Sequence, residues 1–322
     1  MAEKLNAVVV GAGALGRHHA RVYAQHENIR LLAIIDIDER ARMEHATKWN
    51  CLGLASLDEL REPVDLASVV VPTVSHGEVA LRLIERGVPV LVEKPITLSV
   101  EEGRRLTDAA ARRNVPIQVG HIERFNPAVI ELGRHLQTPL FIESHRLGPP
   151  TPRVQDIGVV LDLMIHDLDL ILNLVRSEIE SIDAAGVPIL TPREDIANAR
   201  LRFQSGCIAN VTVSRVTPER QRKIRFFQKD TYFSLDLLKP DLQIYRKVNG
   251  PGGTVNIEYE HPALTNREPL ALEIDSFIDC VVNHKTPLVT GQDGVRALEL
   301  AQKITDQVSR VSRTILLESG PE

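Results

Sequence analysis

Residues 5–16 read LNAVVVGAGALG, and residues 31–36 read LLAIID. The first stretch is an apolar run that stops at Gly11 and continues as Gly11-Ala12-Gly13-Ala14-Leu15-Gly16, a GxGxxG pattern where a buried strand gives way to a helix. There the first glycine permits a tight turn, the second lets a pyrophosphate approach the backbone, and the third lets helix and strand pack closely. The amides of the helix N-terminus then face the phosphates. Asp36 closes the second run about 20 residues beyond Gly16, where a carboxylate accepts hydrogen bonds from the adenosine ribose. A carboxylate there repels a 2′-phosphate, so NAD is favoured over NADP. A glycine turn alone, or a strand that merely ends on an acid, would carry no such meaning. Strand, glycines, helix and acid in this order select a dinucleotide site.

Working outward, apolar runs recur at 66–71 (LASVVV), 88–92 (VPVLV) and 115–119 (VPIQV), with a helix over 78–86 between the first two. Buried strands alternating with helices imply a doubly wound parallel sheet, an α/β Rossmann domain. After about Gly120 the character changes. A long apolar helix near 156–176 precedes strands at 181–187, 197–204, 207–215, 222–228, 231–236 and 241–247, with Gln204-Ser205-Gly206 as a hairpin loop. The stretch 248–268, rich in Gly, Pro and Asn, reads as a loop, and helices near 269–284 and 292–313 close the chain. The expected architecture is therefore an NAD(P)-binding Rossmann domain over 1–121 and an α+β domain with a mostly antiparallel sheet over 122–322. The second domain would bind substrate and mediate oligomerisation.

A length of 322 residues suits two hydrophobic cores, and 43% hydrophobic with 25% charged residues is an ordinary globular composition. A formal net charge of -5 argues against general nucleic-acid binding, which normally demands a basic surplus. Cys51, Cys207 and Cys280 have neither metal-ligand nor disulfide-framework spacing, so no metal and a reducing cytoplasm are expected. The segment from Met1 to Asn6 does not resemble a leader, and no stretch approaches the roughly 20 apolar residues of a membrane span.

Lys94 follows an apolar run, at the carboxyl end of a parallel sheet where ligands of such folds bind. Its ammonium there can polarise a substrate oxygen and lower the pKa of a hydroxyl about to lose hydride; a surface lysine paired with Glu93 fits the same residues. In the helix beyond 156, Asp162, His166, Asp169 and Asn173 draw a polar stripe along an otherwise apolar surface. Buried carboxylates and imidazoles are costly unless they pair or act. Asp162 one turn from His166 can fix the imidazole tautomer, and His166 can accept a hydroxyl proton. A capped histidine at a domain interface is the plainer alternative, and Asp169 equally suits a bond to the backbone of its own domain.

Taken together, GxGxxG, His19, His76, Glu93-Lys94-Pro95 and Asp162-x-x-x-His166 resemble the glucose-fructose oxidoreductase/inositol dehydrogenase (Gfo/Idh/MocA) family through nearly the whole chain. The run Thr290-Gly291-Gln292-Asp293-Gly294 is a weaker part of the likeness. The resemblance implies a nicotinamide-dependent dehydrogenase acting on a CH–OH group, with Lys94, His166 and Asp162 catalytic. It places Gly11, Gly13, Ala14, Leu15, Gly16, Asp36, Pro72, Thr73, His76, Glu93 and Lys94 at the cofactor, and Arg124, Asn126, Asp162 and His166 at the substrate. Pro72-Thr73 reverses the family's usual Thr-Pro order, and His76 equally suits packing at a helix start. Arg124 and Asn126 equally suit an interdomain salt link and a cap before Pro127.

The run GHIERFNP over 120–127 and the helix LDLMIHDLDLIL are similar to the branch that oxidises the 3-hydroxyl of UDP-N-acetylglucosamine. Its diphosphate would need cations converging from Arg124, Arg146, Arg153 and the set Arg200, Arg202, Arg215, Arg220, Arg222, Lys223 and Arg225. That set equally suits a solvated sheet face. The expectation is a sugar or nucleotide-sugar substrate, no nucleic-acid or membrane partner, and a homodimer or homotetramer. A polyol, inositol or dihydrodiol dehydrogenase and a non-catalytic NAD-binding regulator are the alternatives.

Overall fold

The computed structural model describes residues 4–150, 157–251 and 254–318. The chain forms two compact units, Met1–Ile122 with Glu268–Arg296, and Glu123–Arg267 with Ala297–Glu322.

The first unit holds a six-stranded parallel sheet in the order β3-β2-β1-β4-β5-β6, from β1 (Leu5–Val10), β2 (Ile29–Ile35), β3 (Leu52–Leu54), β4 (Leu66–Val69), β5 (Val90–Glu93) and β6 (Ile117–Gly120). Ala7 to Val9, Leu66, Ala67, Val90 and Val92 are fully buried, which is why these strands read as unbroken apolar runs. Four helices form crossovers: α1 (Gly16–Gln25), α2 (Glu39–Trp49), α3 (His76–Glu85) and α4 (Val100–Arg113). Asp38 caps α2 at the Ala41 amide, 3.1 Å away, and Ser99 caps α4 at the Glu102 amide, 3.2 Å away. The strand order reverses at β1, beside β4, and the carboxyl edge there is where ligands of such sheets bind.

The contiguous division at residue 121 needs correction, because Glu268–Arg296 belongs to the first unit. Helix α7 (Pro269–Val282) places Leu270, Ile274, Phe277 and Ile278 in one cluster with Ala20, Tyr23, Ile34 and Leu91. That apolar face covers surface that the crossover helices leave exposed. The boundary at 296 falls inside α8 (Gly291–Glu318). The Thr-Gly-x-Asp-Gly run starts this helix: the Thr290 amide and hydroxyl donate to Asp293 at 2.9 and 2.8 Å, and the Asp293 amide donates back to the hydroxyl.

The second unit carries an eight-stranded sheet in the order β14-β13-β12-β11-β7-β10-β9-β8. Its strands are β7 (Pro139–Leu147), β8 (Ile179–Val187), β9 (Ile196–Phe203), β10 (Ile208–Ser214), β11 (Gln221–Gln228), β12 (Thr231–Asp236), β13 (Asp241–Asn249) and β14 (Val255–Glu260). β7 and β10 run parallel and the other pairs antiparallel. Gly206, with φ +86°, turns the β9–β10 hairpin where Gln204-Ser205-Gly206 predicts one. One face is packed by α5 (Pro127–His135), α6 (Ile165–Val175) and the later part of α8. On the sheet, Phe141, Phe227, Tyr232, Tyr245 and Tyr259 form a cross-strand aromatic ladder, with successive ring centroids 4.9 to 6.0 Å apart.

Besides elements that the sequence reading does not name, β3 and β7 among them, two depart from it. β14 lies where a loop over 248–268 was expected; its residues are mostly exposed and it is held by pairing with β13. The long helix is not uniform: Val160–Met164 is a π turn before α6, and the expected start at 156 lies outside the described residues.

Candidate active site

In the first unit each glycine of the loop is required for a different reason. Gly11 has φ +108°, and a Cβ there would stand 2.4 Å from the Val70 carbonyl oxygen. A Cβ on Gly16 would fall 1.8 Å from the Gly11 oxygen. A Cβ on Gly13 would meet nothing within 4 Å, so that side of its backbone faces open space at the start of α1. A pyrophosphate can approach there as the dinucleotide motif demands. Ala14 and Leu15 complete the turn, Leu15 being 53% exposed. Asp36 Oδ2 accepts the Ala12 amide at 2.6 Å and Oδ1 the Asp38 amide at 2.9 Å, which fixes the carboxylate beside the glycine loop. Each oxygen keeps a second lone pair for a ribose hydroxyl. The loop therefore fits the cofactor.

Pro72 is extended and Thr73–Ser75 form a short turn after β4, closed by the Ser75 amide on the Pro72 carbonyl at 2.8 Å. His76, expected at the cofactor, is 1% exposed. Its Nδ1 lies 2.8 Å from the Pro95 carbonyl and its Nε2 2.9 Å from the Val71 carbonyl. Its ring lies between two backbone carbonyls, of which a neutral imidazole can donate to one, so it packs the start of α3 against the turn at Pro95. Burial holds its pKa below the usual value, against the pull of those carbonyls.

Lys94 is half-buried at the carboxyl end of β5. Glu93 does not lie idle on the surface beside it: Oε1 is 3.2 Å from His19 Nε2, and Oε2 accepts the Lys94 amide at 3.2 Å. His19 Nδ1 is 3.1 Å from Ser68 Oγ, and Ser68 Oγ 2.9 Å from the Tyr23 hydroxyl. Burial opposes the charge of Glu93, yet His19 and Lys94 hold its carboxyl below the usual range. Neither Ser68, in the otherwise apolar strand β4, nor Tyr23, on the buried face of the polar helix α1, stands out in the sequence.

In the second unit Asp162 falls within the π turn and His166 in the first turn of α6, both half-buried. The π turn widens the helix between Asp162 and His166, while Asp169 and Asn173 follow at regular spacing within α6. Glu194 braces this turn. It is 8% exposed, its Oε1 accepts the Val160 amide at 3.3 Å, and a Cβ on Gly158 would strike it.

Asp169 is buried and takes Arg124 Nε and Nη2 on its two oxygens, each at 2.7 Å. This corrects two expectations: Arg124 is bound by an acid of its own unit, and Asp169 bonds a side chain rather than backbone. Asn126 is 1% exposed; its side chain accepts the Ala128 amide at 3.1 Å and donates to the Leu237 carbonyl at 3.2 Å. It is a helix cap, with no exposed surface for substrate.

Arg146 is likewise committed, with Nε and Nη2 on Asp167 at 2.9 Å and Nη1 on Glu123 at 3.0 Å. Asp167 and Glu123, both buried, were not singled out from sequence; an acid beside each motif residue was the available signal. Arg215 is held by Asp195 at 2.7 Å. Arg222 differs. Its side chain is 45% exposed and approaches Glu123 at 3.6 Å, in register with Arg146 across β11 and β7. Burial, then the charge of Arg146, lowers its pKa. Arg153 lies outside the described residues.

Residues 5–121 match the family model GFO_IDH_MocA, described as an oxidoreductase family with an NAD-binding Rossmann fold, and residues 132–232 match the GFO/IDH/MocA C-terminal domain. The chain belongs to the GFO/IDH/MocA oxidoreductase family. Membership makes it a dehydrogenase acting on a CH–OH group. Within the GFO/IDH/MocA family it is 37% identical to UDP-N-acetylglucosamine 3-dehydrogenase of Acidithiobacillus ferrooxidans, over 92% of this chain and 95% of that one. A solved structure of that enzyme superposes with a TM-score of 0.89 at 36% identity, covering 95% of this chain and 97% of the other. The scyllo-inositol 2-dehydrogenase (NAD(+)) of Bacillus subtilis is 27% identical over 95% of this chain and 94% of its own.

Proposed function

We propose that the chain oxidises the 3-hydroxyl of UDP-N-acetylglucosamine to a ketone with NAD as hydride acceptor. The observation that carries the substrate is the end-to-end similarity to the Acidithiobacillus enzyme. When bound, NAD supplies a nicotinamide carbon that accepts the hydride. The α1 amides and the bare face of Gly13 receive its pyrophosphate, and Asp36 its adenosine ribose. Ile37, 92% exposed directly after Asp36, offers the adenine an apolar surface.

Lys94 donates a hydrogen bond to the substrate hydroxyl oxygen and stabilises the charge that grows there as the proton leaves. His166 takes that proton, and Asp162 orients the imidazole and favours its charged form. Glu93 holds the Lys94 backbone through its amide, so the lysine starts from a fixed position.

The diphosphate needs a cation that is not already neutralised. Arg222 meets this condition best among the arginines described above, since Arg124 and Arg146 are each bound doubly by buried acids and Arg215 is held by Asp195, the Thr191 hydroxyl and backbone carbonyls. The same commitment of arginines favours a second reading, a polyol dehydrogenase with no nucleotide site. The two are separated by initial rates on UDP-N-acetylglucosamine, N-acetylglucosamine and inositol with NAD, in the unaltered protein and in Arg222→Ala. The proposal expects activity with the nucleotide sugar, and a KM that rises about tenfold in Arg222→Ala while kcat changes little, because a remote phosphate contact is largely uniform binding. Turnover of inositol with indifference to UDP establishes the second reading instead.

A further inference from the structure

Glu273 is a carboxylic acid in the core of the first unit that the mechanism above does not use. It sits on α7 among Leu270, Ile274 and Phe277 and is 0% exposed. Neither carboxyl oxygen has a hydrogen-bond partner among the described residues. An ionised carboxylate in such a place costs several kcal/mol, roughly, and proteins avoid that cost by keeping the proton.

Its surroundings supply a reason beyond burial. The Gln118 side chain, 0% exposed on β6, donates at 3.1 Å to the Glu273 backbone carbonyl, which fixes the start of α7 against the sheet. Two residues along β6, a Cβ added to Gly120 would stand 3.1 Å from the Glu93 carboxyl atoms, so the sheet leaves room there for that carboxylate. Glu93 is the charge that acts on Glu273. From α1, Tyr23 feels Glu273 and is itself held neutral by burial, while His19 holds Glu93. Lys94 faces the pair from the end of β5 through Glu93, and Asp275 of α7 is paired separately with His26 at 3.5 Å. A fully buried carboxyl with no hydrogen-bond partner, beside the anionic Glu93 that His19 and the Lys94 amide already hold, cannot ionise cheaply, so the proton stays on Glu273.

We propose that Glu273 retains its proton at neutral pH beside the anionic Glu93, and that Glu273 is thereby a positioning residue for Glu93 and Lys94. Glu93 then remains a single anion fixed by His19 and the Lys94 amide. A second negative charge would pull His19 and the Lys94 ammonium toward the core. The role for Lys94 rests on the dehydrogenase mechanism proposed above; the protonation state does not.

The direction follows from linkage. Burial, then the charge of Glu93, holds the Glu273 pKa well above the usual carboxylate value. Above the unfolded pKa the unfolded chain has lost this proton and the folded chain has kept it. Stability therefore falls as pH rises, until Glu273 ionises in the fold.

The test needs no substrate. In heavy water at neutral pD the exposed carboxyls are ionised, and an infrared spectrum should show the C=O stretch of a protonated, weakly hydrogen-bonded carboxylic acid, absent from Glu273→Gln. Over the range above the usual carboxylate pKa, the folding equilibrium constant of the unaltered protein should fall relative to Glu273→Gln by up to about tenfold per pH unit. Should Glu273→Gln fail to fold, Glu93→Gln serves: its band should titrate away at lower pH, because the neighbouring charge is gone. Absence of the band in the unaltered protein, its persistence in Glu273→Gln, or parallel pH slopes overturns the proposal. In turnover, the alkaline limb of kcat should move to higher pH in Glu273→Gln. A band without turnover on any substrate upholds the protonated Glu273 and counts against the dehydrogenase reading of Lys94 alone.

Discussion

In the proposed reading, cofactor choice turns on Asp36. Its carboxylate is fixed by two backbone amides at the edge of the glycine loop, where a ribose hydroxyl is welcome and a 2′-phosphate is repelled. NAD should bind distinctly more tightly than NADP, and Asp36→Ala should erase most of the difference in titrations of each cofactor. Equal affinities in the unaltered protein would remove the assignment. Lys94→Met and His166→Ala should each lower kcat by about a hundredfold or more, the usual contribution of an acid–base group, while NAD binding measured by fluorescence stays close to normal. Near-normal turnover in either variant would take that residue out of the mechanism. Residue types were legible from sequence and their partners were not. Arg124 and Asn126 stand out in GHIERFNP, yet nothing in a linear pattern says that Asp169 will take the arginine and that Ala128 and Leu237 will take the asparagine.

The elements that sequence reveals are those whose burial follows a simple period. β1, β2 and β4 are buried on both faces and announce themselves as apolar runs; the hairpin at Gly206 announces itself by its turn residues. β7 does not, because two of its buried positions are the polar Ser144 and Arg146, the latter held by Asp167 and Glu123, which hydropathy cannot see. The π turn is equally invisible, since it depends on Glu194 reaching the Val160 amide from another part of the chain. The segment between β8 and β9 shows how such elements are held. Asp195 is fully buried and accepts the amides of Ile189, Leu190 and Thr191 at 2.5 to 2.8 Å besides Arg215. Burial would raise its pKa, but these donors together hold it well below the usual value. A depressed carboxyl contributes fully above its unfolded pKa and loses that contribution as pH falls toward its folded one. Asp195→Ala should therefore cost about 3–5 kcal/mol at neutral pH, the range for breaking a buried pair, and the deficit should shrink on acidification. Urea melts at neutral and acid pH measure both; a deficit independent of pH would contradict the ionised state.

At the scale of the whole molecule, sequence shows two cores but not that the first unit is built from two separated stretches of chain. Helix α7 carries the same apolar periodicity whichever unit it covers, and only its packing with Tyr23, Ile34 and Leu91 assigns it. Net charge sets a similar limit. A total of -5 argues against a general polyanion binder, yet an anionic substrate needs only one or two cations, and among the described residues the half-exposed Arg222, whose contact with Glu123 is long at 3.6 Å, is a candidate beside Arg146. The central claim is that a hydride passes from the sugar C3 to the nicotinamide. The measurement that tests it most directly uses UDP-N-acetylglucosamine deuterated at C3, with NAD and the purified protein, and follows the label by mass spectrometry. The account predicts that deuterium appears on the reduced nicotinamide, with a 3-keto nucleotide sugar as the other product. Reduced nicotinamide without the label, or no reduction by this substrate while inositol is oxidised, would contradict it.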